Sequence, residues 1–336
     1  MAGNPRPDAT VHVRTPYKAS ALVVAPSYVR GEFDSHAVDC PFVFSRAGRY
    51  AMTYVGWDSI GYRTGLATSD DLLHWHKEGL LIDRGPRGST TEFNVALTWI
   101  VRDNDLFGSG ELKRVGGHYL GTYHAYPHAG YEAGPAAIGL CWSDDLRHWR
   151  LEEPCLHCDD VDAGAWEHGG LYKSCLVEEG GRFTMFYNAK NVARGTWLEQ
   201  TGAVVSDDLK HWRRVSSEPL LPVGQPGAFD DLFASDPCVV RCGETWAMFY
   251  YGNSTDGHAR DSVAFSSDLL HWEKSGEVLV DVGAAGAIDS RYAHKPSLYH
   301  HNGRLYHYYC AVAPALDGTT GEIEYGEVRG ISVATS

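Results

Sequence analysis

The stretch Ser69-Asp70-Asp71-Leu72-Leu73-His74-Trp75 decides the fold, because close copies of it return three more times along the chain. The copies occupy residues 143–149, 206–212 and 266–272, and a fragment of the same repeat ends the chain at Ser336. The tryptophans of successive copies lie 74, 63 and 60 residues apart (149 − 75, 212 − 149, 272 − 212). A repeat of this length that joins short apolar strands is typical of a β-propeller.

The repeated phrase itself predicts a structural turn. Serine and aspartate side chains accept hydrogen bonds from nearby backbone N–H groups and fix tight turns. The leucine and tryptophan that follow supply apolar area for packing one blade on the next. We therefore interpret the regularly spaced Asp and His residues as turn residues and not as metal ligands.

The whole pattern predicts an all-β protein, a five-bladed β-propeller with four-stranded antiparallel blades around a central channel. A single catalytic domain is expected over residues 1–336, with blades at roughly 37–80, 90–153, 166–217, 229–280 and 288–336. The sequence stops where the last blade still needs a strand, and the segment 20–25 (Ala21-Leu22-Val23-Val24) has no blade of its own. We expect this N-terminal strand to complete the last blade and close the ring, which removes exposed sheet edges.

Composition narrows the choice of partners. The protein has 336 residues and a formal charge of −14, which argues against nucleic acid and anionic membranes as partners but is compatible with a carbohydrate. No apolar run is long enough to span a bilayer, and the N-terminus shows no apolar leader, so a cytoplasmic location is expected. No cofactor is predicted, and the oligomeric state is left open.

Acidic residues recur near the starts of the first strands, which line the channel of a propeller. Four blades bring a carboxylate to this ring, and the fifth brings basic residues instead. Carboxylates that lie close together push their pKa values apart, so that one of them stays protonated near neutral pH. A glycosidase needs such a pair, an acid that protonates the leaving oxygen and a carboxylate that attacks or activates water. The ring therefore favours glycosidic-bond chemistry.

With these features the sequence resembles the five-bladed propeller glycosidases of families 43, 62, 32, 68, 117 and 130, and family 43 is the favoured match. The resemblance implies that Asp39 is the base or nucleophile and Glu167 the general acid. Asp236, in the Asp236-Pro237 pair, is either catalytic or substrate-binding. Cys40 interrupts the Asp-Pro motif of family 43, and the Asn-Asp-Pro-Asn motif of family 32 is absent. The expected substrate-binding residues are Glu92, Asn94, Trp166, His168, Asn188, Lys190, Asp230, Arg291, His294 and Lys295.

The predicted function is thus a glycoside hydrolase that acts on a small oligosaccharide or on the end of a longer polysaccharide. Segments 103–114 and 154–166 are expected to wall the mouth of the channel, which favours exo action. Two alternatives stay open. One is a phosphorylase like those of family 130, with phosphate held by Arg291, His294 and Lys295, and the other is a non-catalytic sugar-binding propeller. No metal site is predicted; the resemblance to family 43 implies a calcium ion beside His294 as an alternative to a hydrogen-bonded histidine. The sugar and the stereochemical outcome stay undetermined.

Overall fold

The structure is a computed structural model that describes residues 13–193, 195–315 and 326–336. Its strands follow one another in antiparallel groups. The first group is β2 (Ala37–Arg46), β3 (Arg49–Trp57), β4 (Tyr62–Ser69) and β5 (His76–Ile82). The second is β6 (Ala96–Ile100), β7 (Arg114–Val115), β8 (His118–Ala125), β9 (Ala137–Ser143) and β10 (Arg150–Leu151).

Three further groups join into one hydrogen-bonded sheet. The third group is β11 (Leu171–Glu179), β12 (Arg182–Ala193), β13 (Thr196–Ser206) and β14 (Arg213–Arg214), preceded by a short 3-10 helix (Ala165–Glu167). The fourth is β15 (Phe233–Cys242), β16 (Thr245–Asn253), β17 (Ala259–Ser266) and β18 (Glu273–Val280). The last is β19 (Tyr292–His301), β20 (Arg304–Pro314) and β21 (Glu327–Thr335), with β1 (Tyr17–Lys18) on its outer edge. An all-β protein of repeated antiparallel groups is therefore confirmed, and the number of blades stays a prediction.

The N-terminal segment lies against the last group, as the sequence suggests. Strand β1 pairs antiparallel with β21, and Val24 forms an isolated bridge with Ile331. The pairing is thus made at β1 and Val24, not by a continuous strand over 20–25. Lys18 adds an ion pair with Asp289, which precedes β19.

The repeated phrase forms the same tight turn in each copy. In the first copy the Ser69 hydroxyl accepts the N–H of Leu72 at 2.9 Å, and Asp71 Oδ1 accepts the N–H of His74 at 2.8 Å. Leu72 has a left-handed φ of 66°, and the leucines of the other copies have φ values of 63° to 67°. The tryptophans then pack against neighbouring groups, since Trp75 meets the ring of Tyr308 edge-on at 5.7 Å.

A buried ion pair also repeats, and it includes several of the acids that stand near the starts of first strands. In four groups an acid that precedes the first strand accepts a hydrogen bond from the tyrosine 20 residues later and pairs with a lysine or arginine. The four sets are Asp34 with Tyr54 and Lys77, Glu167 with Tyr187 and Arg214, Asp230 with Tyr250 and Lys274, and Asp289 with Tyr309 and Lys18. The last cation comes from the N-terminal segment, so that segment supplies what an outer strand supplies elsewhere.

The insertion of the second group contacts the ends of the first strands that lie opposite to the expected mouth. The Ser45 N–H donates to Gly110 O, the Leu106 N–H donates to Arg241 O, and the Tyr299 hydroxyl donates to Ser109 O. These partners stand at the far ends of β2, β15 and β19. The expectation that segment 103–114 walls the active-site mouth is therefore wrong.

Candidate active site

A pocket of about 280 Å³ opens at the starts of β15 and β19. It combines acids, cations and aromatic rings. Its lining is Tyr131, Glu132, Trp197, Glu199, Phe233, Tyr251, Asn253, Ala259, Arg291, Tyr292, His294, Lys295, Glu327 and Arg329. Arg291, His294 and Lys295 are among the residues that the sequence predicts for the site, whereas the three acids of the lining, Glu132, Glu199 and Glu327, are not.

Glu132 and Glu199 approach the pocket from different elements. Glu132 is half-buried on the loop 126–136 between β8 and β9, and Glu199 is 3% exposed on β13. Glu199 Oε2 accepts hydrogen bonds from the Ser235 hydroxyl at 2.8 Å and the Tyr251 hydroxyl at 3.1 Å. Burial and the neighbouring charge of Glu132 raise the pKa of Glu199 to about 7. The pocket therefore contains a carboxyl group that is partly protonated at neutral pH.

Basic residues occupy the other side of the pocket, around Asp39. Asp39 Oδ2 accepts Lys295 Nζ at 2.9 Å and an Arg329 guanidinium N–H at 3.1 Å, and Oδ1 accepts the Cys40 N–H at 2.7 Å. Burial opposes ionisation of Asp39, but Lys295 and Arg329 outweigh it and hold its pKa below the usual range. Asp39 is thus a fixed carboxylate whose oxygens are occupied by cations and a backbone N–H.

His294 presents a neutral imidazole to the same side. Its Nδ1 donates to the carbonyl of Cys310 at 3.0 Å, which leaves Nε2 as a hydrogen-bond acceptor. Burial, together with the charges of Lys295 and Arg329, lowers the pKa of His294 to about 3. Arg329 also binds Glu327 through Nε and Nη2, and Arg291 reaches the second oxygen of Glu327.

A small cavity of about 20 Å³ shares Glu132 and Lys295 with the lining of the pocket. Four non-glycine residues with left-handed backbone line it, one at a β-bulge in each of four first strands: Cys40, Lys173, Asp236 and Lys295, with φ values of 38° to 66°. Left-handed backbone is uncommon outside glycine and clusters at functional sites. The bulges bring these four residues to one cavity.

Asp236 and Asn188 form a buried unit at this cavity. The Asn188 side-chain amide donates to Asp236 Oδ1, and the Asp236 N–H donates back to Asn188 Oδ1 at 2.5 Å. Asp236 Oδ2 is buried and has no hydrogen-bond partner among the residues that the structure describes. Burial raises the pKa of Asp236. Asn188 therefore orients Asp236, and the second carboxyl oxygen of Asp236 remains able to bind a ligand.

Several other residues expected at the mouth lie outside the lining of these cavities. Glu167 is fully buried in its ion pair with Arg214, and Asp230 belongs to the equivalent pair with Lys274. Trp166 stacks on Tyr187 with a ring separation of 6.3 Å. His168 is exposed after the 3-10 helix, and Glu92 accepts the Gly88 N–H at 2.7 Å within its own turn. Asn94 is fully buried, and its amide donates to the carbonyls of Tyr126 and His128.

Glu167 and Asp39 are separated because they belong to two different rings of residues. The four buried acids stand 15 residues before the second strand of their group (49 − 34, 182 − 167, 245 − 230, 304 − 289). The four bulge residues stand nine before it (49 − 40, 182 − 173, 245 − 236, 304 − 295). Asp39 adjoins the second ring and Glu167 lies in the first, so the two carboxylates do not form a facing pair.

The acids that the sequence analysis does not select have a weaker signal. Glu132 lies in a loop of 11 residues between the second and third strands, whereas the corresponding loop of the first group, 58–61, has four. Glu199 lies on β13, which extends to 11 residues, two positions from Trp197 on the same face of the strand. Both features are deviations from the repeat, and such deviations mark functional insertions on a repeated scaffold.

The rest of the described structure offers weaker sites. A larger cavity of about 610 Å³ lies between the first two groups, but Glu78 is the one acid among the described residues that line it. Within residues 13–193, 195–315 and 326–336, no three His, Cys, Asp or Glu side chains are grouped to hold a metal ion. No helix in these ranges has the length and apolarity needed to cross a membrane.

Comparisons with known proteins place this sequence and its fold in a family. The model of the glycosyl hydrolases family 32 N-terminal domain matches residues 111–288, more than half of the sequence, and the protein belongs to this family. A solved structure of a BT0996 RGII complex is 30% identical, with a TM-score of 0.81 over 96% of this protein and 92% of its own length. Another, named "Glycoside hydrolase", is 28% identical, with a TM-score of 0.83 over 100% and 96% of the two proteins.

A curated relative matches about half of the sequence. "Uncharacterized protein MT1551" of Mycobacterium tuberculosis (strain CDC 1551 / Oshkosh) is 26% identical over 186 residues, 51% of this protein, and the match spans 60% of the relative's length. Together the family and the solved structures confirm the expected resemblance to propeller glycosidases, and with it the propeller architecture and the glycosidase class at the level of the family. The matching family model is that of family 32, one of the expected families, and not that of the favoured family 43.

Proposed function

We propose that the protein is a glycoside hydrolase in which Glu199 is the general acid and Glu132 the nucleophile or general base. The observation that carries the proposal is that Glu199 is buried beside Glu132 and that the pKa of Glu199 is raised to about 7. An acid that protonates a leaving oxygen works best when its pKa lies near the working pH. Two carboxyl groups with separated pKa values are what glycosidic cleavage requires.

Asp39 has a supporting role in this proposal. Its two ion pairs hold Lys295 and Arg329 in place, and its lowered pKa makes it unsuited to give up a proton. Asp236 Oδ2, which has no partner within the described ranges, lies at the small cavity, where a sugar hydroxyl group would satisfy it. His294 Nε2 adds an acceptor for a further hydroxyl.

The size of the pocket supports action on a terminal sugar. A volume of about 280 Å³ lies at the lower limit of small-molecule sites and suits a single terminal sugar ring. Trp197, 39% exposed at the rim, offers a surface for the next ring. We further propose that one domain of five blades carries the site. RGII is the first substrate to test, because the name of the 30%-identical structure contains it.

The assignment is tested with Glu199→Gln and Glu132→Gln, assayed on RGII and on a panel of aryl glycosides. Both variants should lose about 10²-fold or more in kcat, the usual contribution of general acid–base catalysis. Glu199→Gln should regain activity on substrates with good leaving groups, which need no protonation. Glu132→Ala should be rescued by azide, which replaces a missing nucleophile or base.

The matched control is Glu167→Gln, because Glu167 is buried yet lies outside the pocket. It should keep turnover close to that of the unmodified protein. Full activity in both Glu199→Gln and Glu132→Gln, or loss confined to Glu167→Gln, would sink the assignment.

A phosphorylase is less well supported. Lys295 and Arg329 are already paired with Asp39 and Glu327, which offsets the positive charge they could offer to phosphate. Turnover that requires added inorganic phosphate would overturn the choice of hydrolase. Tight sugar binding without turnover under any condition would instead favour a binding protein.

A further inference from the structure

The loop 126–136, which carries Glu132, is fixed at both ends by buried contacts. At its start, Asn94 donates to the carbonyls of Tyr126 and His128, each at 3.2 Å. At its end, the Leu171 N–H donates to Ala136 O at 2.9 Å. Gly170 makes this possible, because a Cβ at that position would lie 2.8 Å from Ala136 N and its φ is +123°. In the middle of the loop the Gly130 N–H donates to Ile60 O at 2.9 Å, and the ring of Tyr131 meets those of Trp57 and Tyr62. The backbone of Glu132 itself has a further contact.

That contact is made by Lys190 on β12. Its Nζ reaches the carbonyl oxygen of Glu132 at 3.4 Å. The ammonium also lies over three aromatic rings, Trp197 at 4.6 Å, Tyr126 at 5.4 Å and Tyr172 at 5.8 Å. Cation–π contacts of this kind hold a lysine in one place. The sequence-based prediction gives Lys190 a role in sugar binding, but its ammonium is directed to these rings and to the loop.

Lys190 also lies directly across the β12–β13 ladder from Glu199. Cross-strand partners share one face of a sheet, so Lys190 touches the Glu132 loop while sharing a rigid ladder with Glu199. We propose that Lys190 is a positioning residue that fixes the backbone of Glu132 and thereby sets the separation between the Glu132 and Glu199 carboxyl groups. The inference rests on the proposed function only in treating this pair as catalytic.

The direction in which the pKa of Glu199 shifts when Lys190 is replaced distinguishes a positioning role of Lys190 from a simple charge effect. Glu199 faces charged and titratable groups from every neighbouring element: Glu132, Asp236, Tyr172, Tyr251 and Lys190, with the cations Arg291, Lys295 and Arg329 further along the pocket. If Lys190 positions Glu132, its removal lets the two carboxyl groups separate, and the pKa of Glu199 falls. If Lys190 acts only as a nearby positive charge, its removal raises that pKa.

The experiment follows the side-chain carboxyl of Glu199 by ¹³C NMR in glutamate-labelled protein, with the resonance assigned by its loss in Glu199→Gln. In Lys190→Met the titration midpoint should fall from about 7 by about one unit, toward that of an ordinary glutamate. Glu132→Gln gives the largest expected fall in the midpoint of Glu199, because it removes the neighbouring carboxylate charge altogether. The Lys190→Met midpoint should lie between this variant and the unmodified protein, and Lys190→Arg should restore most of the shift.

Lys210→Met is the matched control, since Lys210 is exposed in the repeated phrase and should leave the midpoint unchanged. If Lys190→Met does not fold, Trp197→Leu weakens the same contact from an exposed position and should lower the midpoint in the same direction. A midpoint that rises or stays fixed overturns the proposal. The titration needs no substrate, so its outcome is independent of whether Glu199→Gln abolishes turnover.

Discussion

Replacing Arg214 by methionine tests whether Glu167 is structural. Arg214 lies in a nearly closed environment, with 3% of its side chain exposed, and pairs with the fully buried Glu167 at 2.8 Å. It also binds Asp162 at 2.6 Å and the carbonyl of His157 at 2.8 Å. Removing one partner of a buried pair leaves an uncompensated charge and costs about 3–5 kcal/mol. For a protein of 336 residues this corresponds to a fall in Tm of roughly 4–7 °C.

The assay is urea and thermal unfolding, followed by circular dichroism, combined with turnover measured well below the Tm. Arg214→Met should lose stability and keep kcat, because neither residue of the pair lines the pocket. The double variant Arg214→Met/Glu167→Met should recover part of the loss, since the unpaired carboxylate is then gone. A fully stable Arg214→Met, or one that folds normally but loses turnover by about 10²-fold, the size expected for a lost catalytic group, would refute the structural role of Glu167.

Three further perturbations test Glu199, the N-terminal segment and the loop that carries Glu132. Glu199→Gln should stabilise the protein at pH 8, by an amount on the order of a few kcal/mol, and not at pH 4. An acid with a raised pKa contributes stability that is fully present below its unfolded pKa of about 4 and is lost as the pH rises through about 7. Equal differences in urea unfolding at the two pH values would contradict this. Deletion of residues 1–24 removes β1 and Lys18 and should abolish cooperative thermal unfolding. A thermal melt like that of the full-length protein would show that this segment is not needed to complete the last sheet. Gly170→Ala should displace the Glu132 loop, and it should reduce kcat by more than about tenfold with a modest fall in Tm. Unchanged kinetics would show that the loop tolerates the added Cβ.

The repeat makes the architecture predictable, because every unit encodes the same strands and the same turn. Ser69, Asp71 and their counterparts bind their own backbone, so their role depends on local sequence alone. The pairing of β1 with the last group is also predictable, since a propeller sheet left open at that place exposes its edge.

The site is less predictable, because it depends on contacts between distant segments. Asp39, Arg291, His294 and Lys295 can be selected from the sequence since they stand at strand starts. Glu167 is harder to interpret, because an acid near a strand start can either line the pocket or belong to a buried ion pair. The two cases differ in the offset, which is the number of positions from the acid to the start of the second strand of its group. That offset, 15 for Glu167 and nine for the bulge residues, is visible in the sequence once the strand boundaries are known.

Glu132 and Glu199 cannot be found by aligning first strands, because neither lies on one. Their pairing depends on how the loop 126–136 folds over β13, which in turn depends on Asn94, Gly170 and Lys190. These are packing contacts between different groups, and no single repeat unit encodes them.

The most direct measurement is a crystal structure of Glu199→Gln soaked with RGII. The non-reducing sugar should lie in the pocket of about 280 Å³, with the glycosidic oxygen about 2.6–3.2 Å from the introduced side-chain amide and Glu132 beside the anomeric carbon. A sugar bound instead in the cavity of about 610 Å³, or one whose glycosidic oxygen lies beyond reach of both the introduced amide and Glu132, would contradict the account.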